Sequence, residues 1–159
     1  MTTHGRNTGR RRRHVDGEAT EHEATMNSSP TNADSQVSQP KPLMDAADLP
    51  DRFLYPESYR RYVQLYPRTM EGLQPWGYVN DPCGYTREFS PACGKSLVVF
   101  AQAYSEDQLA GFEVIAGEAS GRVLVLDPWR RSGPLILAEC GSFDEWLSWA
   151  QRQIQERFE

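Results

Sequence analysis

The chain has 159 residues, for which one domain plus a tail fits better than two domains. All four Trp, seven Tyr and six Phe lie beyond residue 42, and from 43 onward eleven Lys and Arg face seventeen Asp and Glu, a net of −6. An acidic domain of this size repels phosphate backbones, which argues against direct nucleic-acid binding and favours encounter with a basic protein.

Residues 1–42 are dominated by Thr, Asn, Ser, Gln, Glu, Arg and Pro, with six basic and five acidic side chains. Such a stretch buries too little apolar surface to offset the entropy of ordering, so a disordered tail is expected over 1–42 and a folded domain over 43–159. The run Arg10-Arg11-Arg12-Arg13 reads either as an anion-binding or localisation patch or as a solvated stretch. Met26 and Met44 both precede the folded part and offer alternative starts. The longest apolar run, Leu97 to Ala101, is too short to cross a bilayer, and no apolar segment follows the arginines as in a signal peptide. The cytoplasm is the expected location.

The folded part opens with Leu49-Pro50 and Tyr55-Pro56-Glu57-Ser58-Tyr59. Tyr59, Tyr62, Val63 and Tyr66 recur at helical spacing, and Pro67 ends the pattern, which predicts a helix over 56–66 with Pro56 in its first turn. Residues 67–95 are rich in Pro and Gly, and short strands are expected at Trp76–Val79 and Tyr85–Phe89.

Stronger strand signals follow. Ser96–Gln102 is a continuous apolar run suited to a strand buried on both faces. Gly111–Ala116 and Arg122–Asp127 form an expected hairpin whose turn is bracketed by Gly117 and Gly121. A further strand is expected over Pro134–Glu139, with Pro134 first, where no ladder bond is lost.

Ser142 and Glu145 form an S-x-x-E capping box at the start of a closing helix. Phe143, Trp146, Leu147, Ala150, Ile154 and Phe158 fall on one stripe, expected to lie against the sheet. The fold class is therefore α+β: a mixed or antiparallel sheet flanked by an N-terminal and a C-terminal helix.

All three histidines, His4, His14 and His22, lie in the tail, which leaves the folded part without Ser-His-Asp or Cys-His chemistry. Cys83, Cys93 and Cys140 have no zinc-knuckle spacing, so neither a metal nor a cofactor is expected. No phosphate-cradling glycine motif occurs. Glu106-Asp107 lies in a polar connector between strands, and Trp129 in Asp127-Pro128-Trp129-Arg130-Arg131 follows a strand end. Trp129 reads either as a lid on the core or as an exposed aromatic–Arg anchor of the kind that dominates interfaces. The domain is expected to bind rather than catalyse, and the candidate partner-binding residues are Glu106, Asp107, Trp129, Arg130 and Arg131.

The order Leu49-Pro50, Tyr55-Pro56-Glu57-Ser58-Tyr59, Pro75-Trp76-Gly77, Leu97-Val98-Val99-Phe100-Ala101, Ala110-Gly111-Phe112-Glu113 and Ser142-Phe143-Asp144-Glu145-Trp146-Leu147 resembles the SUKH superfamily over residues 49–149. The resemblance implies an α+β fold and a protein that neutralises a cognate bacterial toxin, often a nuclease, by direct association. The matched motifs mark fold-defining positions and leave the contact surface open; the Ser105–Gln108 loop is the leading contact candidate. A regulatory scaffold acting on a housekeeping protein is the alternative role.

Overall fold

The computed structural model describes residues 39–133 and 135–158. Most of the expected tail, with its arginine run, and Pro134 lie outside them. A 3₁₀ turn at Ala46–Asp48 precedes α1 (Glu57–Leu65), β1 (Trp76–Tyr78), α2 (Pro82–Ala92), β2 (Ser96–Ala103), β3 (Gln108–Ile115), β4 (Glu118–Asp127), β5 (Leu135–Cys140) and α3 (Phe143–Arg157). The five strands form one sheet in the order β1-β2-β3-β4-β5, antiparallel throughout. The fold is α+β, as the element order predicts.

One expectation is overturned. Tyr85–Phe89 is not a strand but the middle of α2. Asp81 caps this helix, accepting a hydrogen bond from the Gly84 N–H at 2.9 Å, and Pro82 occupies the first turn, where its missing N–H costs nothing. The hairpin between β3 and β4 also differs in detail. Its turn is Ala116-Gly117, with φ of 52° and 81°, the two left-handed positions that match the twist of a two-residue hairpin. Gly121, expected to bracket the turn, sits inside β4 beside a register shift between Phe112 and Val114.

The sheet buries both faces. On one side Val98, Phe100, Ala110, Phe112, Val123 and Val125 meet α1 and α3 in the main core. Phe100 stacks on Phe112 with ring centroids 4.5 Å apart, and Tyr59, Phe143 and Trp146 close around the pair. On the other side Leu97, Val99, Leu109, Leu124 and Leu126 form two smaller clusters beneath α2. A register shift between Val99 and Ala101 lets Phe100 and Ala101 join the same core, which a strictly alternating strand would forbid. Each large side chain so buried contributes about 1.5–3 kcal/mol.

α3 starts as its sequence predicts. Ser142 Oγ accepts from the Glu145 N–H at 3.1 Å, and the Glu145 carboxylate reaches back to the Gly141 N–H at 2.6 Å. Phe143, Trp146 and Ala150 are buried, but the stripe outlasts the surface it packs on: Ile154 is half-buried and Phe158, just past the helix end, is 87% exposed.

Candidate interaction site

β1 pairs only with Ala101–Ala103, so among the described residues no strand lies beside the outer edge of β2 over Ser96–Val99. Hydroxyls of α2 take the backbone groups there. Thr86 Oγ1 accepts from the Val99 N–H at 2.9 Å. Ser90 Oγ accepts from the Leu97 N–H at 3.0 Å and donates to the Leu97 carbonyl at 3.1 Å. These bonds satisfy polar groups that would otherwise be lost at a covered edge, and they fix the helix on the sheet. Phe89 points inward to Val79, Val99 and Leu109, while Asp81 and Glu88 stay exposed and Tyr85 half-buried.

Against this helix lies the β4–β5 turn. Pro128 is buried, the Asp127 carboxylate accepts from the Trp129 N–H at 3.3 Å, and the Arg130 carbonyl accepts from the Gly133 N–H at 3.0 Å. These contacts carry Trp129 edge-on to Phe89, with centroids 5.3 Å apart at 70°, and to Tyr85 at 6.5 Å and 89°. Trp129 covers Phe89 yet remains 45% exposed, which makes it an anchored ledge. Arg130 is exposed with Nε 3.6 Å from the Asp127 carboxylate, and Arg131 is exposed on the same turn.

The other two sequence-derived candidates fall elsewhere. Glu106 and Asp107 lie in the β2–β3 turn, at the same end of the sheet as Trp129. Asp107 takes a left-handed φ of 54° and is exposed. The Glu106 carboxylate pairs with Arg157 in the last turn of α3, so it is drawn toward the helix opposite α2. The structure therefore groups Trp129, Arg130 and Arg131 and leaves Glu106 outside that group. It adds Tyr85 and Glu88, which line an open cleft of about 340 Å³ with Asn80, Asp81 and Gly84. Reading 85–89 as a strand hid them; Asp81-Pro82, a capping residue followed by a first-turn proline, was the available signal.

Glu113, the buried carboxylate of the described residues, has structural partners. It is 3% exposed and accepts from Lys95 Nζ at 3.2 Å and Ser120 Oγ at 3.0 Å, with Arg122 at 3.6 Å. Burial pushes this carboxyl up, but the hydrogen bonds and the neighbouring cations outweigh it and hold it below its ordinary value. Burial, reinforced by Glu145, pushes the Cys140 thiol up. Among the described residues no group of three or more His, Cys, Asp or Glu could hold a metal ion. No described helix is long and apolar enough to cross a membrane. What the arrangement offers is contact: an exposed indole on an aromatic support, flanked by guanidinium groups on one side and carboxylates on the other.

No protein-family model, curated protein or solved structure matches the chain.

Proposed function

We propose that the domain is an immunity-type protein that neutralises a cognate bacterial toxin domain, possibly a nuclease, by direct association. The observation that carries this reading is Trp129, 45% exposed yet held by Phe89 and Tyr85. A tryptophan already fixed before binding gives a large contact area at low entropic cost, and Trp, Tyr and Arg are the residue types enriched among interface hot spots. The net charge of −6 over residues 43–159 supports a basic partner, such as a protein that must hold nucleic acid. The SUKH-like order of residues supports the toxin-directed role.

The reading predicts a toxin domain encoded beside this gene, and the test is co-expression with that domain followed by calorimetry with both purified proteins. Growth rescue together with a stoichiometric complex is expected. A toxin of the locus that is neither bound nor neutralised overturns the reading.

A further inference from the structure

Beyond the Trp129 ledge, α2 has an outward face that no other described element covers. Asp81, Tyr85 and Glu88 follow one another at i, i+4 and i+7, which places them on one side of the helix. With Asn80 and Gly84 they line the open cleft of about 340 Å³. Among the described residues only one oxygen of the Asp81 carboxylate is engaged, by the Gly84 N–H. Among the described residues Glu88 pairs with no cation, although Arg87 beside it is taken by Asp48 at 3.6 Å. Tyr85 stacks on Phe89 with centroids 5.8 Å apart and meets Trp129 edge-on, so the cleft and the Trp129 ledge share a wall.

Two carboxylates and an aromatic ring around an open cleft are the groups that receive a basic side chain. The carboxylates pair its charge, and the ring takes its flat or apolar stem. We propose that this cleft takes a basic side chain of the protein partner, arginine above lysine, beside the contact made by Trp129. Arginine suits it better because a planar guanidinium can lie on Tyr85 while bonding in two directions, toward Glu88 and the free oxygen of Asp81. The occupant is thus a basic protein, which agrees with the acidic domain as a whole, and the inference rests on the toxin-binding reading for that partner's identity.

Two arms test it on the full chain. In the first, N-acetyl-arginine amide is titrated against the protein and followed by amide NMR. Saturating shifts at Gly84, Tyr85 and Glu88 are expected, weaker with N-acetyl-norleucine amide and at least halved in Glu88→Gln. Shifts scattered over the surface, or equal in Glu88→Gln, overturn the proposal. Glu88 is exposed, so Glu88→Gln and Glu88→Lys should keep the wild-type melting temperature and report on the cleft alone. In the second arm the basic toxin domain is titrated into wild type and Glu88→Lys. A roughly tenfold weaker complex for Glu88→Lys is expected. Equal affinities would sink the cleft while leaving the toxin-binding reading intact. If the toxin domain binds neither protein, that reading fails and the first arm alone decides the cleft. Self-association that Glu88→Lys abolishes would assign the face to a second copy and overturn the proposal.

Discussion

Glu106, in the β2–β3 turn, is held by Arg157 in the last turn of α3. The pair ties the C-terminal end of the final helix to one end of the sheet, and it uses a carboxylate that the sequence offers as a contact residue. Both side chains keep partial access to water, at 26% and 41%. Glu106→Ala, Arg157→Ala and the double variant should give a coupling of about 0.5–1 kcal/mol in chemical unfolding, falling in high salt. A coupling near zero would return Glu106 to the solvent as a free contact residue.

Trp129 and Trp146 should separate binding from folding. Trp146 is fully buried among Phe100, Phe143 and Trp76, so Trp146→Ala should cost about 3–5 kcal/mol of stability. Trp129→Ala loses two edge-on contacts at the surface and should cost about 1 kcal/mol. On the proposed toxin-domain partner the order should reverse among folded variants, with Trp129→Ala weakening the complex by about 2 kcal/mol or more. Denaturant titration and calorimetry on the same samples check both halves.

Glu113 sets an acid limit. Its carboxyl sits below the ordinary value of 4.5 in the folded protein, so the unfolded chain binds a proton first as pH falls. The stability this provides is complete above about pH 4.5 and is lost as pH drops through the lower folded value. Glu113→Gln should therefore lower the melting temperature at pH 7 and converge with wild type at strongly acidic pH. Parallel curves across the range would show that the network around Lys95, Ser120 and Arg122 does not select the ionised form.

The tyrosines give an alkaline counterpart. Burial pushes Tyr55 and Tyr62 up to about 12, and drives Tyr59 and Tyr78 upward as well. Raised values stabilise the fold below the ordinary value of 10, and that contribution disappears as pH climbs through the folded values. Ultraviolet titration at pH 10 to 11 should thus register fewer than the seven tyrosines present. All seven ionising together while circular dichroism stays native would contradict the packing around Tyr59.

Thiol labelling probes both faces of the sheet. Cys83 and Cys93 are half-exposed, whereas Cys140 is buried with its thiol pushed up, first by burial and then by Glu145. A disulfide reagent at pH 8 should label two cysteines quickly and the third only on unfolding. Rapid labelling of Cys140 would mean that β5 opens from β4.

Much of this fold is readable from local pattern. Ser142 and Glu145 announce α3 because a capping box uses neighbours in sequence, and β2 to β4 announce themselves through runs of Val, Leu and Phe. α2 does not, because Pro82, Gly84 and Pro91 suggest turns, and its apolar positions are few. Its helical state follows from the local Asp81 cap and from Thr86 and Ser90 bonding to β2, and only the folded chain supplies those strand partners. The candidate site divides in the same way. Trp129 and its arginines stand out in the sequence, but their separation from Glu106 depends on which face of the sheet each turn leans toward. That choice is made by tertiary packing.

The manner in which α2 is fastened has a consequence for how such a chain could diverge. Its grip on β2 comes from Thr86, Phe89 and Ser90, while Asp81, Tyr85 and Glu88 form the outward side. Glu88 can therefore change identity while the fastening residues and the aromatic core beyond the sheet stay as they are, and Tyr85 can change to another ring that still stacks on Phe89. If the proposed binding role holds, a gene of this kind can be retargeted to a new partner by a few codon changes in one helix, without first passing through an unstable ancestor.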